Sequence, residues 1–437
     1  RASAEGVTEK AAGAAREILL AAIRAVDPRE LTRAALQTAS GLSDGVEIIA
    51  AGKAAAAMVR GAADALGSAI RSGVAIAPDE SPALPRNIWT FKGGHPMPND
   101  AGVRGARAVM RLAENDAHAA PLIVLLSGGA SALMTMPPNG VKLTDIVGVS
   151  RTLMAAGADI RELNCVRKHL DQLKGGQLAR RVARARPVRA LVLSDVIGNS
   201  LDVIASGPLV PDPTTFDDAI AILRARGAWE SAAPSVRAHL LAGASGDREE
   251  TPKAGDPCFA NVQVEVIGDN ALAVHGAAAE AARLGFDVEI ESAPVSGEAR
   301  QAGVAFARRL LDARARAKPA RPVCIVGGGE TTVTVVGAGI GGRNLEFAAA
   351  AALAIDGDAR VTIGSVGTDG RDGPTDAAGA VVDGASAAAA RKGGADLAAY
   401  LATNDTLRAL DAAGAVVRTG PTGTNVMDVF VGIVTPR

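Results

Sequence analysis

Cysteine is scarce in this chain: three residues in 437, Cys165, Cys258 and Cys324, with no Cys-x-x-Cys or His-x-x-x-His spacing among them. That excludes a disulfide framework and a zinc site of ordinary spacing, and the default is reduced thiols in a cytoplasmic protein. Aromatic residues make up 2%, so few platforms exist for stacking bases, and 46 basic against 47 acidic side chains leave a net charge of -1. Nucleic acid is therefore not an expected partner, because phosphate-backbone binding needs a basic excess. No uncharged apolar run reaches about 18 residues, and residues 1–10 are polar rather than a charged segment leading an apolar core, so neither a membrane span nor a secretory signal is expected. An anionic ligand would have to be held by local groups.

Fifty glycines, alanine-rich runs and 48% hydrophobic content describe an α/β enzyme in which helices lie close on sheets. The spacing of Ile18, Leu19, Ile23, Val26, Leu31 and Leu36 predicts two helices meeting at Asp27-Pro28. Three strand–turn units follow: Val46 to Ala50 into Gly52-Lys53 and a helix, Pro121 to Leu126 into Ser127-Gly128-Gly129-Ala130-Ser131, and Val188 to Leu193 into Ser194-Asp195. Continuously apolar strands belong to a sheet buried on both faces, so a Rossmann-like, mostly parallel sheet layered by helices is predicted for an N-terminal domain. Breakers crowd residues 243–257, which sets the expected boundary near 255, between domains 1–255 and 256–437. Beyond it, strands are predicted at 262–266, 287–290, 322–326, 331–336, 361–366 and 429–434. Gly327-Gly328-Gly329-Glu330 between two of them reads as a hairpin tip, giving the C-terminal α/β domain a mixed sheet.

Chemistry concentrates in the turns. The 127–131 loop gathers backbone N–H groups at a helix start, a cradle for phosphate or carboxylate or, equally, a tight structural turn. Lys53, at the same kind of turn, offers a point charge. The run Gly337-Ala338-Gly339-Ile340-Gly341-Gly342 satisfies the dinucleotide pattern G-x-G-x-x-G but lacks an acidic residue at the required distance, and its preceding strand is assigned to a hairpin rather than a βαβ unit. Arg343, directly after it, is instead a guanidinium able to clamp an anion. Asp195, Asp202, Asp269, Glu330, Asp369, Asp372 and Asp376 fall at strand ends, where carboxylates can hold Mg²⁺ together with nucleotide phosphates. The densest of these loops, 367–376, is read as a ligand loop. Asn164, Lys168 and Asp171 share one helix face, catalytic or simply wet. His95, in Gly-Gly-His-Pro-Met-Pro, is read as a hydrogen-bonded structural histidine.

Taken together, Ser-Gly-Gly-Ala-Ser (127–131), Leu-Asn-Cys-Val-Arg-Lys-His-Leu (163–170), Leu-Ser-Asp-Val-Ile-Gly-Asn-Ser (193–200), Ala-Ser-Gly-Pro (205–208), Gly-Gly-Gly-Glu-Thr-Thr (327–332), Gly-Gly-Arg-Asn-Leu-Glu (341–346) and Gly-Thr-Asp-Gly-Arg-Asp-Gly-Pro-Thr-Asp-Ala-Ala-Gly (367–379) resemble the class II glycerate 2-kinases, the MOFRL family. The resemblance implies two α/β domains with an active site in the cleft between them. It also implies ATP- and Mg²⁺-dependent phosphorylation of D-glycerate at its 2-hydroxyl by a cytoplasmic monomer or homodimer. The alternative is an NAD(P)H-dependent hydroxypyruvate reductase, the label such proteins long carried. On this resemblance Lys53 and Arg343 are the two cationic residues expected at the active site, and Asp195 is assigned beside them as a catalytic carboxylate, with Asp195 or Asp369 accepting the hydroxyl proton. Ser127, Gly128, Gly129, Ser131, Asn270, Gly328, Gly329, Glu330 and Asp369 are expected to bind the nucleotide or substrate, and Asp195 or Asp369 the metal. Phosphoryl transfer is mostly positioning and charge neutralisation, so glycine loops, cations and carboxylates suffice without a nucleophilic side chain.

Overall fold

The computed structural model describes residues 4–436, apart from 40–41, 43–44, 79–82, 116–119, 183–185 and 317–320. The chain divides into two compact units, one of residues 28–267 and one joining residues 1–27 to 268–437. The expected boundary near 255 thus lies inside the first unit, ahead of its last strand. The two predicted N-terminal helices are present as Ala4–Ala25 and Pro28–Gln37. Each falls in a different unit.

The first unit is built on β1 (Val46–Ala51), β2 (Ile70–Ala77), β3 (Ile88–Lys92), β4 (Leu122–Leu126), β5 (Val188–Leu193) and β6 (Val262–Gly268), in the order β3-β2-β1-β4-β5-β6. All pairings from β3 to β5 are parallel. Every residue of β1 and β4 is buried, as a sheet covered on both faces requires. The chain steps outward from β1 to β3 on one side, then from β4 to β6 on the other. The order reverses between β1 and β4, and at such a switch point open α/β sheets leave a crevice beyond the carboxyl ends of their strands.

The second unit carries β7 (Asp287–Ile290), β8 (Val295–Glu298), β9 (Val323–Thr332), β10 (Val361–Gly367), β11 (Gly379–Asp383), β12 (Val416–Val417) and β13 (Asp428–Val434). Their order is β12-β11-β10-β13-β9-β7, with β8 also on β9. The strands β7 and β8 run parallel to β9 and the rest pair antiparallel, so the predicted mixed sheet is present. Phe306, Phe347 and Phe430 meet at its centre, with the rings of Phe347 and Phe430 4.5 Å apart. Helix Ala4–Ala25 packs on helix Asn270–Arg283, where a Cβ on Gly276 would stand 2.3 Å from that of Ala25.

The predicted hairpin is not formed. The strand β9 runs unbroken through Gly327-Gly328-Gly329, which pair with Phe430, Val429 and Asp428 of β13. These glycines serve close approach rather than a turn. A Cβ on Gly328 would lie 1.9 Å from Asn270 Oδ1, and one on Gly329 2.1 Å from the Val295 carbonyl. Residues 333–342 then leave the sheet as irregular chain.

Candidate active site

In the first unit the turns after β1 and β4 are stitched together at the switch point. The Lys53 N–H donates to the Gly128 carbonyl at 2.9 Å, and the Ala54 N–H donates to Ser127 Oγ at 3.0 Å. Ser127 therefore holds one turn against the other, and Gly52 is forced, since a Cβ there would stand 2.1 Å from Ser127 Oγ. What remains unspent is informative. The N–H groups of Gly128 and Gly129 make no hydrogen bond to any described residue, although Gly128 is buried. Buried backbone donors are almost always paired, so two adjacent vacant ones mark a place for an acceptor. The helix that follows, Ala130–Leu133, is a single turn. Its dipole is correspondingly short, and the vacant amides rather than the helix make the cradle.

Three charged or titratable side chains border this loop. Asp195, beyond β5, lies directly over it: a Cβ on Gly128 would fall 1.9 Å from Asp195 Oδ2. Burial pushes the Asp195 carboxyl up, while the Lys53 charge pulls it back down. His95 stands on the other side, its Cδ2 2.9 Å from where a Cβ of Gly129 would be, and it has no hydrogen-bond partner among the described residues. Desolvation, then Lys53 and Arg167, hold its pKa below the ordinary histidine value. The expectation of a hydrogen-bonded structural histidine thus gives way to an imidazole at the cradle's rim with no described hydrogen-bond partner.

Ser131 closes the loop. Its hydroxyl lies 2.7 Å from that of Ser206, which donates in turn to Asn164 Oδ1 at 3.1 Å. Ala205, Ser206 and Gly207 all adopt positive φ, at 54°, 59° and 59°. Two consecutive non-glycine residues in the left-handed region cost about 1–3 kcal/mol each. The Ser131–Ser206–Asn164 chain and the bond from Gly175 N–H to the Ser206 carbonyl help hold them there. The face shared by Asn164, Lys168 and Asp171 is neither wet nor open: all three are buried, Lys168 against Asp212 and Asp202, and Asp171 against Lys174.

The second unit gathers Arg343, Glu330, Asn270, Gly328 and Gly329 where β9 and β13 pair. Arg343 grips Asp428 through both fork nitrogens, Nε to Oδ2 at 2.6 Å and Nη2 to Oδ1 at 3.0 Å, and its Nη1 meets Glu330 at 2.7 Å. Burial opposes the charge of Arg343, but Asp428, then Glu330 and Asp372, outweigh it and raise its pKa. Asp428 is fully buried, and burial raises its carboxyl against the pull of Arg343. Its role escapes sequence reasoning because it sits at the mouth of an apolar strand with no motif around it. The one signal is a carboxylate opening the run Asp428-Val429-Phe430-Val431, where only a paired charge could be buried.

Asp372 accepts from the N–H groups of Asn344 and Leu345, capping helix Arg343–Ala354 from a distant loop. Burial pushes its pKa to about 6. Much of the 367–376 loop is thus occupied with structure. Asp369 heads a turn by accepting from Arg371 N–H at 3.1 Å, and the loop is tied to the strand entering β13 through Thr368 and Met427. Asn270 donates to the Val426 and Asp428 carbonyls, fixing the same strand. The glycines of 337–342 lie against the 403–406 turn: a Cβ on Gly337 would be 2.2 Å from the Thr403 carbonyl, and one on Gly339 2.4 Å from the Asp405 nitrogen. They are spent on that packing and follow no strand, contrary to a dinucleotide fingerprint.

Among the described residues no group of three or more His, Cys, Asp or Glu could cage a metal. This donor set fits Mg²⁺ only in the manner of kinases, one or two carboxylates completed by phosphate oxygens and water.

A parallel sheet with vacant amides, a lysine and a raised carboxylate at its switch point is the equipment of an enzyme acting on a small anionic molecule. Residues 14–241 match the domain of unknown function DUF4147, and residues 323–428 match the MOFRL family. The chain is 41% identical over 423 residues to the D-glycerate 2-kinase of Thermotoga maritima, covering 96% of this chain and 97% of that one. It is 40% identical over 398 residues to the glycerate 2-kinase of Pyrococcus horikoshii, covering 90% and 88%. A crystal structure of glycerate kinase from Thermotoga maritima superimposes with a TM-score of 0.89 at 39% identity, covering 98% of this chain and all of that one. The chain belongs to the MOFRL family of glycerate 2-kinases and is a phosphotransferase. No described helix is long and apolar enough to cross a membrane.

Proposed function

We propose that this enzyme moves the terminal phosphoryl group of ATP to the 2-hydroxyl of D-glycerate, with Mg²⁺, in the cytoplasm. The observation that carries the reading is the pair of vacant N–H groups at Gly128 and Gly129, set between Lys53 and Asp195 at the β1/β4 switch point. Mg²⁺, when bound, would neutralise phosphate charge, and Asp369 is the carboxylate assigned to it.

This chain's own residues then divide the work. The Gly128 and Gly129 amides hold an oxyanion without the reorganisation that water would require. Asp195, its pKa raised by burial against the pull of Lys53, accepts the proton of the substrate hydroxyl. Lys53 neutralises the group in transfer. Arg343 supplies a second cation, which can reach an anion by releasing Glu330, its more exposed partner, while Asp428 keeps the guanidinium oriented. The reductase alternative is not favoured, since residues 337–342 are committed to packing and offer no open dinucleotide turn.

The test is purified protein with ATP, Mg²⁺ and D-glycerate, the product resolved as the 2- or 3-phosphate. ATP consumption that requires both glycerate and metal, yielding the 2-phosphate, is the expected result. NADH oxidation with hydroxypyruvate at an equal or greater rate would replace this reading with the reductase.

A further inference from the structure

One cation near the cradle has no counter-charge among the described residues. Arg167 lies on helix Ile160–Lys168, half-buried, and no carboxylate of the described residues pairs with it. Its one polar contact among the described residues is a long bond from Nε to Ser150 Oγ at 3.4 Å. The neighbouring charges are already committed. Asp171, which shares a small cavity with Arg167, Ser131, Ser150 and Lys174, gives Oδ2 to Lys174 Nζ and the Met136 N–H, and Oδ1 to the N–H groups of Leu173 and Lys174. Lys168, next along the helix, is taken by Asp212 and Asp202. Burial of Arg167 depresses its pKa, the cost of a desolvated charge with no described carboxylate opposite it.

Position gives this cation a purpose. Ser131, in the wall of the same cavity, belongs to the Gly128–Gly129 loop, and His95, at the rim of that loop, feels both Arg167 and Lys53. Lys53 faces Asp195, whereas no described carboxylate faces Arg167, and an incoming carboxylate would give it one. We propose that Arg167 binds the carboxylate of the hydroxy-acid substrate, so that it selects acids over neutral polyols. This rests on the kinase reading for the identity of the acid but not for the binding. A carboxylate suits the position because the planar guanidinium matches it with two parallel N–H donors. A three-carbon acid also brings its carboxylate close to the hydroxyl that reacts, so its site must adjoin the cradle.

The experiment compares wild type with Arg167→Gln and Arg167→Lys, after circular dichroism and melting curves establish that each is folded. A charge-assisted hydrogen bond contributes about 1.5–3 kcal/mol. The KM for D-glycerate in Arg167→Gln should therefore rise on the order of 10- to 100-fold, with the KM for ATP changed less than about twofold. The preference in kcat/KM for D-glycerate over glycerol should fall by a similar factor. Arg167→Lys should recover part of it. D-glycerate titrated calorimetrically without nucleotide gives a second readout, weakened in Arg167→Gln. If wild type binds D-glycerate in an Arg167-dependent way yet consumes no ATP with it, the kinase reading fails while this assignment stands. A rise in KM for ATP alone, an unchanged preference over glycerol, or equal calorimetric affinity in wild type and Arg167→Gln would overturn the assignment.

Discussion

The two units handle charge in opposite ways. In the parallel-sheet unit, among the described residues, Gly128 and Gly129 leave donors vacant, Arg167 has no carboxylate and Asp195 carries a raised pKa, so the crevice is incomplete until an anion arrives. In the mixed-sheet unit, Arg343, Asp428, Glu330, Asn344 and Asp372 satisfy one another, and Asn344 closes the set by donating to both Asp372 and Asp428 and accepting from Ser365 Oγ. The first unit is arranged to gain a ligand, the second to hold a guanidinium still. A cation that must recognise substrate is better left unpaired, whereas one that must keep its aim is better fixed by a buried partner.

Breaking the closed network should cost most. Asp428→Ala leaves Arg343 partly buried beside Glu330 alone, and removing one partner of a buried pair costs about 3–5 kcal/mol. Because the Arg343 side chain retains some exposure, we expect the lower end, read as a reduced midpoint in urea unfolding. Arg343→Lys should lose most of the bidentate grip and rescue little activity over Arg343→Ala. A stability of Asp428→Ala equal to wild type would remove the distinction between the units.

Breaking the open site should spare stability and cost turnover. In Lys53→Ala both kcat and kcat/KM should fall by about 10²–10³, the cost of about 2.7–4 kcal/mol for losing one donor aimed at the transition state. A variant that keeps kcat while only the KM for ATP rises would make Lys53 a binding accessory. Gly128→Ala should also lower kcat/KM, by about tenfold or more for a displacement of this kind, because its methyl would displace the Asp195 carboxylate. Unchanged kinetics there would place the reaction away from the loop.

The smallest effect concerns His169, which caps the C-terminal end of the helix carrying Arg167. Burial draws His169 down, but the Cys165 carbonyl, Glu250 and Asp212 outweigh it and hold its pKa at about 9. The opposing Glu250 is raised by burial but lowered further by His169 and by the Phe216 and Thr251 N–H groups, to about 2. A raised histidine stabilises the fold fully below its ordinary 6.5 and loses that contribution as pH climbs through about 9. The lowered glutamate contributes above 4.5 and loses it as pH falls through about 2. Melting temperature should therefore decline between pH 6.5 and 9 in wild type and decline less in His169→Gln. Parallel curves would show that the pair does not titrate this way.

Local pattern carried much of this structure. Apolar runs such as 122–126 and 188–193 announced parallel strands, and Lys53 and Ser127-Gly128-Gly129 were legible because turn chemistry sits next to such strands. The strand β2 was not, since Arg71, Ser72 and Gly73 interrupt its apolar character and only pairing with β1 and β3 reveals it. Gly327-Gly328-Gly329 misled for a related reason: glycine permits a turn and close packing alike, and only the neighbours Asn270 and Val295 decide between them. Asp428 and Arg167 were opaque because their meaning is relational. One is defined by the partner it has, the other by the partner it lacks.

The most direct test of the contrast is backbone amide NMR of the full chain, following Gly128 and Gly129 against Gly328 and Gly329 as D-glycerate is added. The Gly128 and Gly129 resonances should move in a saturable way while the β9 glycines stay fixed. Movement confined to Gly328 and Gly329, with Gly128 and Gly129 unchanged at saturation, would contradict the assignment of the vacant amides as the substrate cradle.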